Sequence, residues 1–202
     1  MQGSVDFDMQ QDFRAVHVSR VVWSKTQRTV SASIDAESRA KIVVQTPAAR
    51  CHVQPMASAR ASGHIITMLF DDGSDIHAAF QQFLRDLQAS CIEWGGLNHL
   101  ELYDAVYTGY GGGSSFRVTA FSDALFYDTN ASQVPSPSAM KACSCVLQLQ
   151  GAWTSDRRFG LRWQVKQVKE ALPPPMPISR EWAEQDDDGN DGHEVACMFP
   201  LD

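Results

Sequence analysis

The sequence predicts a mainly β domain with one α-helix, an antiparallel sheet rolled into a barrel-like shell, followed by an acidic tail. Three observations carry this expectation. About eight short runs rich in β-branched and aromatic residues lie between turn signals, only Asp75 to Glu93 shows helical apolar spacing, and the last segment, 181–202, contains no Lys or Arg.

Val16 to Lys25 (VHVSRVVWSK) and Thr29 to Ile34 (TVSASI) read as strands, linked as a hairpin through Thr26-Gln27. Lys41 to Thr46 is a third strand, stopped by Pro47, and His64 to Phe70 a fourth, ended by the turn signal Asp71-Asp72-Gly73. The helix follows, with Ile76, Phe80, Phe83, Leu84, Leu87 and Cys91 at three- and four-residue spacing as its core face. Gln81, Gln82, Arg85, Asp86 and Gln88 make the polar face, Ser74 or Asp75 caps the start, and Gly95-Gly96 ends it.

Leu97 to Thr108 and Phe116 to Tyr127 are the next strands, separated by the Gly-rich run Gly109 to Ser115. After a Ser/Pro-rich connection, Cys143 to Trp153 and Phe159 to Val168 close the domain. In the second, Leu161, Trp163 and Val165 point one way, and Arg162, Gln164 and Lys166 the other. Closure of such a sheet removes aggregation-prone edges, so the expected architecture is an oligonucleotide-binding (OB) fold-like antiparallel barrel with elaborations; a two-layer β-sandwich is the rival. Residues 1–14 are an N-terminal extension, 15–170 the folded domain, 171–180 a Pro-rich linker and 181–202 an acidic tail expected to be disordered.

The formal charge of −7 is unevenly spread. Eight acids (Glu181, Glu184, Asp186, Asp187, Asp188, Asp191, Glu194 and Asp202) sit in the tail, which leaves residues 1–180 near neutrality at +1. An overall acidic chain thus retains a domain able to meet phosphates. There is no run of eighteen apolar residues, and the start, MQGSVDFDMQQDF, has no basic or apolar region of a secretory signal. Five cysteines without paired spacing fit reduced thiols. The expectation is an intracellular, non-secreted protein without disulfides.

Non-specific binding of single-stranded nucleic acid needs cations for phosphates and aromatic faces for unpaired bases. The closing hairpin offers Arg157, Arg158, Arg162, Lys166 and Lys169 as a basic stripe, with Phe159 in its loop as a stacking ring and Trp153 and Trp163 as core. A solvated face over that tryptophan core explains the same residues. Arg20, Lys25, Arg28 and Arg117 interleave with further aromatics, of which Tyr110, in the Gly-rich loop, is the ring expected outside the core.

Other chemistries lack their patterns. The Gly-rich loop has no following Lys-Ser/Thr and no helix, so it is not a phosphate-binding loop. Cys143-Ser144-Cys145 with Cys51-His52 lacks a second pair at ribbon or finger spacing, and the two strand cysteines are expected on opposite sides. No catalytic residue, metal or cofactor is expected.

The segment Lys41 to Pro47, the strand and amphipathic helix after it, Leu147 to Trp153 and Phe159-Gly160-Leu161-Arg162-Trp163 resemble the single-stranded DNA-binding proteins of nucleocytoplasmic large DNA viruses. Those are distant relatives of the phage-type replication protein with an OB fold. The resemblance spans roughly residues 15–170 and extends to the tail, because such proteins carry an acidic C-terminus with an aromatic residue near its end, the place of Phe199 here. In this chain Pro200-Leu201-Asp202 follow that ring, whereas the family aromatic stands closer to the terminus. The resemblance implies coating and protection of unwound DNA at a viral replication site in the nucleus or cytoplasm, strand annealing, and recruitment of polymerase and helicase through the tail. It allows a homodimer as a further partner state and implies no membrane partner. The rival class is a structural or virion-associated interaction protein whose acidic tail binds a partner and which does not bind DNA. A thiol hydrolase or zinc nuclease comes third.

Overall fold

The computed structural model describes residues 11–25, 30–33, 40–56, 62–103, 106–108, 113–137, 140–155 and 157–172. Within them one sheet holds thirteen strands: β1 (Gln11–Asp12), β2 (Val22–Lys25), β3 (Val30–Ser33), β4 (Val43–Gln45), β5 (Ala49–Pro55), β6 (Gly63–Phe70), β7 (Glu101–Leu102), β8 (Val106–Thr108), β9 (Ser114–Phe121), β10 (Leu125–Tyr127), β11 (Gln133–Val134), β12 (Ala142–Thr154) and β13 (Arg158–Glu170). One α-helix, α1 (Asp75–Gly95), lies between β6 and β7. The expected mainly β class with one helix is what the chain adopts. The hydrogen-bonded path β11-β10-β13-β12-β5-β6-β9-β8 does not return on itself, so the sheet is not closed into a barrel. β9 and β13 lie against each other across the seam, with no ladder between them among the described residues.

The β12–β13 hairpin is the spine. Its ladder runs from Cys143↔Glu170 to Thr154↔Phe159, and the far edge of β12 is shared in turn by β5 at Ala142 and Cys143, β4 at Val146 to Gln148, and β3 at Ala152. The outer edge of β13 takes β7 at one end and β10 at the other, both parallel. Two register shifts, at Val146/Leu147 and Leu149/Gly151, bend the pair. At the second, Gly151 has φ +125°, and a Cβ there would lie 1.7 Å from the Val30 carbonyl oxygen. Only glycine lets β3 cross the bulge at that range.

Alternation along β5, β6, β9 and β8 sorts residues by face. Cys51, Met68, Phe116 and Val106 form one inward rung and Val53, Ile66 and Val118 the next. The helix covers this face through Phe80, Phe83, Leu84, Leu87 and Cys91. Phe80 meets Phe13, Phe70 and Phe116 at ring separations of 5.1, 5.9 and 5.8 Å in edge-to-face geometry. Buried His77 joins helix to sheet. Its Nδ1 accepts from the Asp71 N–H at 2.9 Å, which assigns the ring proton to Nε2, the donor to the Ala48 carbonyl at 3.0 Å.

Several elements depart from expectation. Val16 to Lys25 is a strand only at Val22–Lys25, because two 3₁₀ turns (Phe13–Ala15 and Val18–Arg20) bring the chain onto α1. Lys41 to Thr46 shortens to β4, while β5 lies in a stretch not expected to be a strand. Leu97 to Thr108 reduces to β7 and β8, and Phe116 to Tyr127 is broken by a turn into β9 and β10. On the helix, Ile76 is exposed and His77, Gln81 and Gln88 are buried in the stripe's margin. Ser74 is the N-cap by position, but its side chain makes no capping bond.

Gly151→Ala should lower stability by at least about 2 kcal/mol, because the new methyl meets backbone at a left-handed φ. Gly113→Ala, with nothing within 4 Å of the added carbon, should stay within about 0.5 kcal/mol of wild type. Urea midpoints of the two variants check this pair; equal midpoints would contradict the crossing geometry.

Candidate nucleic-acid interface

The faces opposite the core carry the candidate site. Inward Cys51, Met68 and Phe116 alternate with outward residues, so Arg50, Leu69, Ser115 and Tyr107 line one cross-strand rung of β5-β6-β9-β8. His52, Thr67 and Arg117 form the next, and Gln54, Ile65 and Thr119 the third. Leu69, Tyr107 and Phe121 are exposed at 48%, 66% and 41%, although each is large and apolar or aromatic. Arg50 and Arg117 have no ion-pair partner among the described residues. The face therefore presents ring surface and cations with no acid paired to them among the described residues, which suits a single strand's phosphates and unpaired bases. Arg117 is legible as a cation in the sequence. Arg50 and His52 are not, because β5 itself carries no clear strand signal.

β13 borders this face across the seam. Outward Arg158 and Arg162 are exposed, as is Arg157 just before the strand. Arg158 gives its Nε to Glu101 at 3.0 Å, so part of its charge is already answered. Arg157 and Arg162 carry no ion pair among the described residues. The two sides are linked beyond β9, where Gln164 Nε2 donates to Asp123 at 2.8 Å. Gln150 in turn donates to Gln164 at 2.6 Å.

The other expected residues are scattered. Phe159, expected as a loop ring for stacking, is wholly buried opposite Thr154, so its face is unavailable to a base. Lys166 is half-buried at the first bulge, and Lys169 is exposed beside Ser144. Lys169 stands eleven residues from Arg158, about 36 Å at about 3.3 Å per residue, so the expected single stripe is two separated groups. Lys25 is exposed at the outer end of the Lys25–Val30–Ala152–Leu161 rung, whose other members are buried, so it lies on the inner face of its strand and not on the face of Arg162. Arg20 is exposed on a 3₁₀ turn against α1 and joins neither group. Arg28, Tyr110 and the tail residues Glu181, Glu184, Asp186, Asp187, Asp188, Asp191, Glu194 and Phe199 lie outside the described residues.

The thiols face the core. Cys143 and Cys145 share one side of β12, as period-two spacing dictates, which corrects the expectation of opposite sides. Hydrogen bonding to Cys143 and burial push the Cys51 thiol far up, and hydrogen bonding to Cys145 pushes Cys143 far up. Burial raises Cys91 to about 11. These groups are neutral thiols at physiological pH and so poor nucleophiles. No cluster of His, Cys, Asp and Glu suited to a metal ion occurs among the described residues. No helix there is long and apolar enough to cross a membrane.

No family model and no curated protein matches the sequence. Solved structures do. The chain is similar to gp2.5, a single-stranded DNA binding protein encoded by bacteriophage T7, with 9% identity and a TM-score of 0.50 over 78% of this chain and 100% of that one. It is also similar to the single-stranded DNA-binding protein from bacteriophage Enc34, with 13% identity and a TM-score of 0.50 over 79% of this chain and 94% of that one. The Enc34 protein in complex with ssDNA gives 13%, 0.50, 77% and 97%. At such identities the likeness is one of fold, and the β domain of this chain has the fold of these phage proteins.

Proposed function

We propose that this chain binds single-stranded DNA without sequence preference, in the service of replication, recombination and repair. The observation that carries the reading is the outward face of β5-β6-β9-β8 with the neighbouring arginines of β13. Arg50, Arg117, Arg157 and Arg162 stand there among exposed Tyr107, Leu69 and Phe121 with no acid paired to them in the described residues. In OB folds the face of the second and third strands binds oligonucleotides, and this reading assigns that role to β5 and β6, the two strands before α1. A similar fold with bound single-stranded DNA supports the reading. Cations read the backbone and rings read π-surface, neither of which depends on base identity. No residue is catalytic in this reading, and no cofactor is needed.

The wider role follows the resemblance to proteins of large DNA viruses. It is to coat and protect unwound strands, assist annealing, and recruit polymerase and helicase through the acidic tail, with Phe199 as anchoring ring. The rival reading, a structural or virion-associated interaction protein, leaves the outward arginines without a use.

Fluorescence anisotropy of a labelled oligo-dT should show salt-sensitive binding stronger than that of a matched duplex; equal or stronger duplex binding sinks the proposal. Combining Arg157→Ala with Arg162→Ala and Arg117→Ala should flatten the log K against log salt slope by about 0.7 for each phosphate no longer neutralised. An unchanged slope would place the phosphate-binding cations elsewhere.

Removing residues 181–202 takes the formal charge from −7 to +1. A tethered acidic segment competes with DNA for the same cations, so the truncated protein should bind oligo-dT more tightly, most at low salt where screening is weakest. Phe199→Ala should weaken partner recruitment and leave DNA affinity unchanged. Weaker DNA binding by a folded truncation contradicts the competition.

A further inference from the structure

We propose that Tyr103 and Trp153 form a base-stacking corner at the closing end of the β12–β13 hairpin. There an unpaired nucleobase of single-stranded DNA packs on Tyr103 against a wall made by Trp153, while Arg157 and Arg162 take the flanking phosphates. The proposal rests on the single-strand reading above and names a subsite within it.

Strand alternation alone places Trp153 in the core with Cys145, Leu147 and Leu149. The bulge between Leu149 and Gly151 reverses that parity, so Ala152 turns inward and Trp153 outward. Opposite Trp153 the strand carries Gly160, and a Cβ there would stand 3.0 Å from the indole atoms Cζ2 and Nε1. The indole thus lies directly on the backbone of β13, where the absent side chain makes room and the contact fixes the ring.

Tyr103 packs beside it, ring centroids 5.8 Å apart and planes inclined at 57°. Its backbone is held by the bond from its N–H to the Phe159 carbonyl at 2.7 Å. Yet 56% of the residue remains in water. A ring anchored at the backbone, supported from one side and open on the other has little ordering entropy left to lose when a base covers it. A small cleft of about 140 Å³ adjoins the indole, lined by Gln150, Gly151, Thr154 and Arg162 among others. Arg158, held by Glu101, borders the corner, while Arg157 and Arg162 are without ion pairs in the described residues.

The corner also lies within reach of the outward face. Tyr107 stands four residues after Tyr103, so their Cα atoms are at most about 14 Å apart. An extended strand leaving the Arg50–Tyr107 rung reaches Tyr103 in a short step.

Oligo-dT titration of the full chain tests the corner. Tyr103→Ala should weaken binding about tenfold, by a similar factor at low and high salt, because stacking carries no counterion term. Tyr103→Phe should stay within about twofold of wild type, since it keeps the ring. Trp153→Phe, which leaves a smaller wall behind the base, should weaken binding about threefold and lose most of the tryptophan-fluorescence quenching that unlabelled oligo-dT causes in the wild type. Wild-type affinity in Tyr103→Ala, or equal losses in the Phe and Ala variants, overturns the corner. If the wild type ignores oligo-dT altogether, the single-strand reading has failed and the corner falls with it. If the wild type binds and the arginine variants weaken it while Tyr103→Ala does not, only the corner has failed.

Discussion

The structure depends on one long antiparallel ladder that bends twice. β12 and β13 are the two longest strands, and every other part of the sheet attaches to their edges directly or through its neighbours. An unbroken ladder of this length would be a smoothly twisted ribbon without sharp bends. The bulges at Val146/Leu147 and Leu149/Gly151 let the same strand serve β5, β4 and β3 in succession. Gly151 is the tightest point of that arrangement, because the Val30 carbonyl occupies the space of its missing Cβ. The core is then fixed from within by a cluster of Phe13, Phe70, Phe80 and Phe116 whose rings meet mostly edge to face.

The same bends distribute function. Each bulge changes which residues face solvent, so the outward surface of the spine is not the one that simple alternation gives. Past the second bulge Trp153 emerges beside Tyr103, and at the first Lys166 is half-buried. The open seam sets the outward residues of β9 beside those of β13, far apart in sequence and joined through Gln164 and Asp123. Cations and rings from five strands thereby share one exposed region, while all the described thiols face inward or sit half-covered.

Much of the fold is legible in the sequence because its signals are local. The spacing of Phe80, Phe83, Leu84, Leu87 and Cys91 gives the helix, and the alternation of Leu161, Trp163 and Val165 gives the hairpin's inner side. β5 is illegible because only Ala49 in it is buried; the rest are half-covered or exposed, without an apolar run. The site is legible in kind, as arginines with aromatics, and less so in place. Phe159 reads as a loop ring in sequence, but the hairpin's ladder extends closer to its turn than the residue pattern suggests, and pairing with Thr154 turns the ring inward. Arg50 and Tyr107 meet on one rung only through the pairing of four strands, a long-range fact that no local pattern carries.

The outward face of β5-β6-β9-β8, together with the closing end of β12–β13, is the proposed seat of single-stranded DNA. Backbone NMR shifts followed through an oligo-dT titration test that placement most directly. Perturbations should cluster at Arg50, Thr67, Tyr107, Arg117 and residues 157–162, with the exposed side of α1 around Gln82 and Asp86 unmoved. Perturbations centred on α1, with that face silent, would contradict it.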